Sequence, residues 1–306
     1  MKVRLGYVAI SNCLNVNSSS PYTYTEYIKN KDLNKLDKVI ISNLEGLNEI
    51  IKYNIKNNIH FYRMSSKIIP LATKEDVEFD YINRYQKYYD KIKKNINRSN
   101  IRVDFHPDQF TVLNSTKKEV VNNSIKILEY HYKILDVLGI KNKLLVLHIG
   151  SNVFGKENSI KRFINTYNKL PKHLKDIIAI ENDDKIFNIE DITYISNILN
   201  IPIILDYHHH TCNPSKINYK KIFTSWKNIT PKIHFSSPKN KKEYRAHNNY
   251  INSDDFINFI NKIKKYNHDI DIMIEAKEKD DALFRLVREL KYKTNYKFID
   301  ETTFIV

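Results

Sequence analysis

Leu145-Val146-Leu147-His148, Ile178-Ala179-Ile180-Glu181 and Ile203-Ile204-Leu205-Asp206, all within residues 145–206, are apolar tetrapeptides that stop on a residue able to bind a metal. Upstream, Val103-Asp104-Phe105-His106 does the same, and downstream Lys232-Ile233-His234 and Ile272-Met273-Ile274-Glu275 repeat it. A buried strand gains nothing from ending on His, Asp or Glu, because an unpaired polar group in an apolar layer costs several kcal/mol. Six such endings in series therefore point to one shared site. Side chains at the same end of neighbouring parallel strands converge, so three histidines and three carboxylates are expected around a single pocket.

Two more apolar runs, Leu5-Gly6-Tyr7-Val8 and Phe61-Tyr62-Arg63-Met64, bring the strand count to eight. Between the runs lie stretches with helical spacing, among them Leu44-Leu47-Ile51-Ile55, Val120-Ile127-Leu128-Leu135 and Phe256-Ile260-Ile263. Strand and helix alternating eight times reads as a single α/β domain, a (β/α)8 TIM barrel over residues 1–291 with its metal site at the carboxyl ends of the strands. Residues 292–306 form a tail to which the sequence assigns no role. No Gly/Ser-rich linker divides the chain, and the prolines fall beside strand ends or in loops.

No apolar stretch approaches the roughly 18 residues of a membrane span, and the N-terminal Met1-Lys2-Val3-Arg4 enters a strand without a signal-peptide core, so a soluble cytoplasmic protein is expected. Two cysteines, Cys13 and Cys212, exclude a disulfide framework and argue against a thiolate zinc site. A net charge of +15 suits a polyanionic partner such as nucleic acid. It equally suits lysines filling solvated helix faces, since Lys, Asn, Ile and Tyr abound while there are only 5 glycines.

His106 precedes Pro107, which biases it towards extended backbone, and His148 precedes Gly150 by two residues. Glu181 heads an acidic cluster and suits a bridge between two ions; Asp183 and Asp184 suit a helix N-terminus better. Asp206-Tyr207-His208-His209-His210 is the densest run of potential ligands. Strand alternation would put Asp206, His208 and His210 on one face, but the strand is expected to end near Asp206, which leaves the rest open. His234, Glu275 and the loop residue His247 complete the set. Imidazole and carboxylate donors without thiolate suit zinc, manganese or iron(II), and carboxylate bridges suit ions about 3.5–4 Å apart. Three divalent ions would outweigh three carboxylates, leaving a cationic pocket for phosphate. Phosphodiester hydrolysis follows.

These blocks, in order, resemble the UV damage endonucleases, relatives of the endonuclease IV abasic-site nucleases. The resemblance rests on Arg4-Leu5-Gly6-Tyr7, Tyr62-Arg63-Met64-Ser65-Ser66 with Ile69-Pro70, Phe105-His106-Pro107-Asp108-Gln109-Phe110, Leu147-His148-Ile149-Gly150, Ile180-Glu181-Asn182-Asp183-Asp184, Leu205-Asp206-Tyr207-His208-His209, Lys232-Ile233-His234-Phe235-Ser236-Ser237 and Met273-Ile274-Glu275-Ala276-Lys277. It implies a DNA repair endonuclease that cuts immediately 5′ of cyclobutane dimers and 6-4 photoproducts, and also at abasic sites, through a metal-activated hydroxide. It further implies two or three divalent ions, manganese first with zinc or magnesium as alternatives. His106, His148 and Glu181 would hold one ion; Glu181, Asp206, His234 and Glu275 a second; His209 and His247 a third. Endonuclease IV has Asp-Arg-His where this chain has Arg245-Ala246-His247, so the third ion would be one carboxylate short.

By the same resemblance Glu181 and Lys232 are catalytic, with Lys232 open to carboxylation, and Tyr7, Asn12, Gln109 and Phe110 probe the lesion in damaged duplex DNA. An aromatic ring beside an amide can fill a vacated base stack and pair with orphaned bases. The expected working state is a monomer without an obligate protein partner, cytoplasmic and nucleoid-associated on DNA. Two other enzyme readings stand beside this one: an abasic-site nuclease without dimer preference, and a sugar isomerase of the same barrel type that binds two divalent ions with Glu, Asp and His. A third reading is a DNA-binding module that does not cut.

Overall fold

A computed structural model describes all residues, 1–306. Eight parallel strands close on themselves: β1 (Lys2–Ala9), β2 (Phe61–Met64), β3 (Arg102–Phe105), β4 (Leu145–His148), β5 (Ile178–Glu181), β6 (Ile203–Asp206), β7 (Lys232–Phe235) and β8 (Ile270–Ile274). Each pairs in parallel with the next, and β1 pairs with both β8 and β2. The helices cover the outside. Helix 253–263 shows why: Asn252 caps it by accepting from the amides of Asp254 and Asp255, and Phe256, Phe259, Ile260 and Ile263 are all buried against the barrel. Each such side chain contributes about 1.5–3 kcal/mol on burial. No helix is long and apolar enough to cross a membrane.

Two-residue alternation decides what fills the barrel. The outward residues Val3, Leu5, Tyr7 and Tyr62 join the large core under the helices. Inward residues form small apolar clusters, Val8 with Phe61 and Met273, and Leu144, Val146, Ala179 and Ile204 above Trp226. Gly6 also faces inward; a Cβ there would lie 2.2 Å from the Phe61 carbonyl oxygen, so only glycine lets β1 and β2 meet at this height.

The inward charges are layered as well. At the amino-terminal end of the barrel Asp271 accepts from Arg4 Nε at 2.6 Å and from Arg102 Nη1 at 2.7 Å. One layer up, Lys232 Nζ donates to both oxygens of Asp104, at 2.8 and 3.0 Å, and both residues are fully buried. The carboxyl-end layer holds the six strand-terminal residues.

Residues 292–306 have a structural role that the sequence did not disclose. The last helix runs to Lys293, and the chain then forms β9 (Lys297–Phe298) and β10 (Thr303–Ile305). β10 pairs antiparallel with the first half of β1, on the edge that β2 occupies only further along, at Tyr7 to Ala9. The Leu5 amide donates to the Thr302 carbonyl at 3.0 Å, extending this cover of the β1 backbone by one residue beyond the ladder.

Candidate metal centre

His148, Glu181 and Asp206 are the last residues of their strands, His106 and Glu275 follow theirs directly, and His234 lies one residue inside β7. Beyond Asp206 the strand gives way to a short helix, Tyr207–Cys212, whose first turn Asp206 caps by accepting from the His209 amide at 2.7 Å. Helical spacing therefore carries His209, three residues on, to the Asp206 side. His208 and His210, which strand alternation would have chosen, are directed elsewhere; His208 lies near the Arg245 carbonyl, 3.3 Å away. Cys212 is half-buried and joins none of the ligand groups.

Three overlapping groups result: His106, His148 and Glu181; Glu181, Asp206 and His209; Asp206, His234 and Glu275. Within each, one donor atom per residue lies within 4.8 Å of the others. Glu181 is the hub. One of its oxygens is 2.9 Å from His106 Nε2 and the other 2.7 Å from His234 Nδ1. His247 is not in a three-donor group; its ring centre is 6.2 Å from that of His209 and 5.4 Å from that of His208. A third ion on His209 and His247 alone would thus lack a third protein donor, whereas His209 has Glu181 and Asp206 beside it.

The donor set fits divalent ions on two further counts. Asp206 Oδ2 is buried with no hydrogen-bond partner, a costly arrangement that coordination would relieve. The rings are also pre-oriented: Nδ1 of His106, His209 and His247 lies 2.9, 3.0 and 2.8 Å from the carbonyls of Pro107, Asn182 and Glu275. A backbone bond at Nδ1 leaves Nε2 as the donor towards the pocket, the usual arrangement of a metal-binding imidazole.

Electrostatics follow from the same packing. Burial would raise the Glu181 carboxyl, but His234, His148 and His106 hold it well below the usual carboxylate range. Burial likewise works against the Glu275 anion, and Arg63 and His234 overcome it. Burial lowers His106 to about 4. His209 goes the other way: burial opposes its charge, yet Asp206, Glu181 and Glu275 raise it to about 9.

Arg63 is a site residue that the sequence reading passed over. From the end of β2 its Nη1 reaches Glu275 Oε1 at 2.5 Å. The signal was present, because Phe61 and Arg63 are two apart and Phe61 is inward. Asn182 was missed as well; it is fully buried, donates to the Asp206 carbonyl at 3.0 Å and accepts the Asp206 amide at 2.9 Å, locking β5 to β6 beneath the pocket. Lys232 bonds only to Asp104 and to none of the ligand groups.

Gln109 and Phe110 are exposed on the loop after β3, Phe110 at 74%. Asn12 lies in the loop after β1, its amide nitrogen 3.0 Å from Glu278 and its backbone held by Asp280 at 2.7 Å. Tyr7 requires a correction. It points out of the barrel, is fully buried beside Tyr62, and donates its hydroxyl to Asn54 at 2.8 Å, so it presents no surface to a ligand at the pocket.

The family described as UV-endonuclease UvdE matches residues 3–303. A UV DNA damage endonuclease of Bacillus cereus (strain B4264) is 41% identical over 301 residues, covering 95% of each chain. One from Bacillus thuringiensis subsp. konkukian (strain 97-27) is 40% identical over 314 residues, covering 99% of each. Among solved structures, SacUVDE superposes with a TM-score of 0.87 at 33% identity, covering 95% of this chain and 98% of its own. Endonuclease IV from Thermus thermophilus, with a TM-score of 0.57 at 11% identity over 95% of this chain and all of its own, shares the barrel fold.

Proposed function

The chain belongs to the UV-endonuclease UvdE family, a DNA repair nuclease by that membership, and from this premise we propose that it cuts the phosphodiester bond immediately 5′ of UV photoproducts, with abasic sites as further substrates. The observation that carries the reading is the Glu181 hub, a buried carboxylate facing histidines from β3, β4 and β7. His106, His148, Glu181, Asp206, His209, His234 and Glu275 would hold divalent ions, manganese first, with His247 at the rim. Such ions, when bound, supply a water of lowered pKa and positive charge for both oxygens of an in-line displacement.

The chain's own residues do the positioning. Glu181 spans the two sides of the pocket and fixes the spacing of whatever it holds. Arg63 keeps Glu275 ionised and leaves the pocket more cationic than the carboxylates alone imply, which favours the phosphate of a DNA strand. Gln109, Phe110 and Asn12, on loops at the same end of the barrel, suit contact with the lesion; Tyr7 supports β1 from behind. Unmodified, Lys232 is a buried ammonium paired with Asp104, and it is the residue that carboxylation would modify. Carboxylation would break its pair with Asp104 and leave Arg63 and Arg102, the other charges facing it, to neutralise two anions. Native mass spectrometry at mildly alkaline pH under bicarbonate tests the point: an added CO2 supports the modification, and an unchanged mass refutes it.

Duplexes carrying one dimer, one 6-4 photoproduct or one abasic site test the main reading, with manganese, magnesium, zinc or chelator. A nick mapped one bond 5′ of the lesion, lost with chelator and in His106→Ala and Glu275→Ala, is expected. An uncut lesion duplex, or cutting unchanged in both variants, overturns it.

A further inference from the structure

We propose that Phe154 is a second aromatic wedge against the DNA, acting beside Phe110 from the neighbouring loop. The inference rests on the DNA-cutting reading above. Phe154 follows β4, six residues after the candidate ligand His148, and is 75% exposed, with Val153 before it at 44%. Its backbone is left-handed, φ +63°, a conformation that few residues other than glycine adopt. An aromatic side chain kept out of the core on strained backbone points to a binding role.

The loop is held as though to present that ring. Asn114 Nδ2 donates to the Ser151 carbonyl at 2.7 Å and Asn114 Oδ1 accepts the Ser151 amide at 2.9 Å, bolting the loop after β3 to the loop after β4. Gly150 makes this approach possible, since a Cβ there would lie 2.7 Å from both Asn114 Oδ1 and Val112. Arg162 spans the same joint, donating from Nε to the Asn114 carbonyl and from Nη2 to the Val153 carbonyl. Asn158 Nδ2 holds the Phe154 carbonyl at 2.8 Å.

Phe110 and Phe154 are thus exposed phenyl rings on loops fastened to each other at the carboxyl end of the barrel. Continuity with the pocket selects the occupant, a duplex whose scissile phosphate reaches the metal centre. Apolar side chains of this kind insert between base steps and open the stack, and base stacking on an aromatic ring is tolerant of sequence. Two rings on a fixed mount would hold a distorted duplex at two points.

The test uses the full-length chain, a duplex with a single lesion and 2-aminopurine placed in turn at positions flanking it. Phe154→Ala should weaken binding about tenfold, or about 1.4 kcal/mol, and abolish the rise in 2-aminopurine fluorescence that unstacking produces in the complex, at a position distinct from that affected by Phe110→Ala. Phe154→Trp should retain binding. Tyr292→Ala removes a ring that is 91% exposed at the end of the last helix, away from the pocket, and should change nothing. Unchanged binding and an unchanged fluorescence rise in Phe154→Ala, with the parent cutting normally, overturn the wedge alone. A parent that binds the duplex without cutting it overturns the nuclease reading, and the Phe154→Ala comparison still decides the wedge.

Discussion

Replacing Asp104 with alanine should cost about 3–5 kcal/mol of folding stability, because it leaves the Lys232 ammonium without a partner in the middle layer of the barrel. Lys232 and Asp104 are both at 0% exposure, the two bonds between them are 2.8 and 3.0 Å, and no other hydrogen-bond acceptor reaches Nζ. The loss has an upper bound. Lys232 can escape by deprotonating, and discharging a lysine of ordinary pKa at neutral pH costs about 5 kcal/mol. Burial already lowers its pKa to about 8 against the pull of Asp104, so without Asp104 the neutral amine is the expected folded form at pH 7. The sign with pH follows. A base with a depressed folded pKa penalises folding at low pH, and the penalty fades as pH rises from the folded value to the unfolded value near 10.4. Asp104→Ala should therefore recover stability between pH 7 and pH 10 more steeply than the parent. The assay is urea unfolding of the parent, Asp104→Ala and Asp104→Leu/Lys232→Met at three pH values. The paired replacement should restore most of the loss, since apolar residues of similar size can take over a buried ion pair. A single variant within about 1 kcal/mol of the parent, or a double variant as unstable as the single, would refute the reasoning.

Glu181→Gln should lower single-turnover cutting of a lesion duplex about a thousandfold, equivalent to about 4 kcal/mol, with loss of bound metal measured by elemental analysis. Apparent metal affinity should fall as pH drops below about 9, because His209 is raised to about 9 in the metal-free site and an ion must displace its proton; His106, at about 4, adds no such competition near neutrality. Calorimetric titration with manganese between pH 6 and pH 9 checks this, and a flat profile contradicts it. Tyr7→Phe should cost about 1–2 kcal/mol in thermal or urea unfolding through the lost bond to Asn54, while lesion selectivity stays put. Selectivity that moves without a stability loss would return Tyr7 to the lesion-reading surface.

The barrel was legible in the sequence because its signal is repeated: eight apolar runs, six of them ending on a ligand. The site was legible as far as that alternation reached. It stopped, as expected, near Asp206, where the chain turns from strand to helix within one residue and three-residue spacing selects His209 over His208. It failed at Tyr7. The motif containing Tyr7 is local, whereas the direction of its ring is set by register against β2 and by the helix at residues 33–56 that supplies Asn54. Asp104, Arg63 and Lys232 obey the same two-residue period as the ligands and could have been read as inward. Which acid meets which base across the barrel depends on strand tilt and closure, and no local pattern contains that. The C-terminal pairing was hidden for a related reason, since Thr303–Ile305 is an ordinary short strand whose partner lies at the other end of the chain.

That pairing bears on how the molecule comes to be folded. β1 is made early, yet Lys2 and Arg4 find their antiparallel partners only when Ile305 and Thr303 have been synthesised, and the β8 partners arrive scarcely sooner. Contacts so distant in sequence are slow to form, and until they do β1 offers unpaired edges to other chains. During synthesis the first strand is therefore the most exposed to mispairing. A chain stalled before Thr303 would carry every candidate metal ligand and still lack the segment that covers the edge of β1.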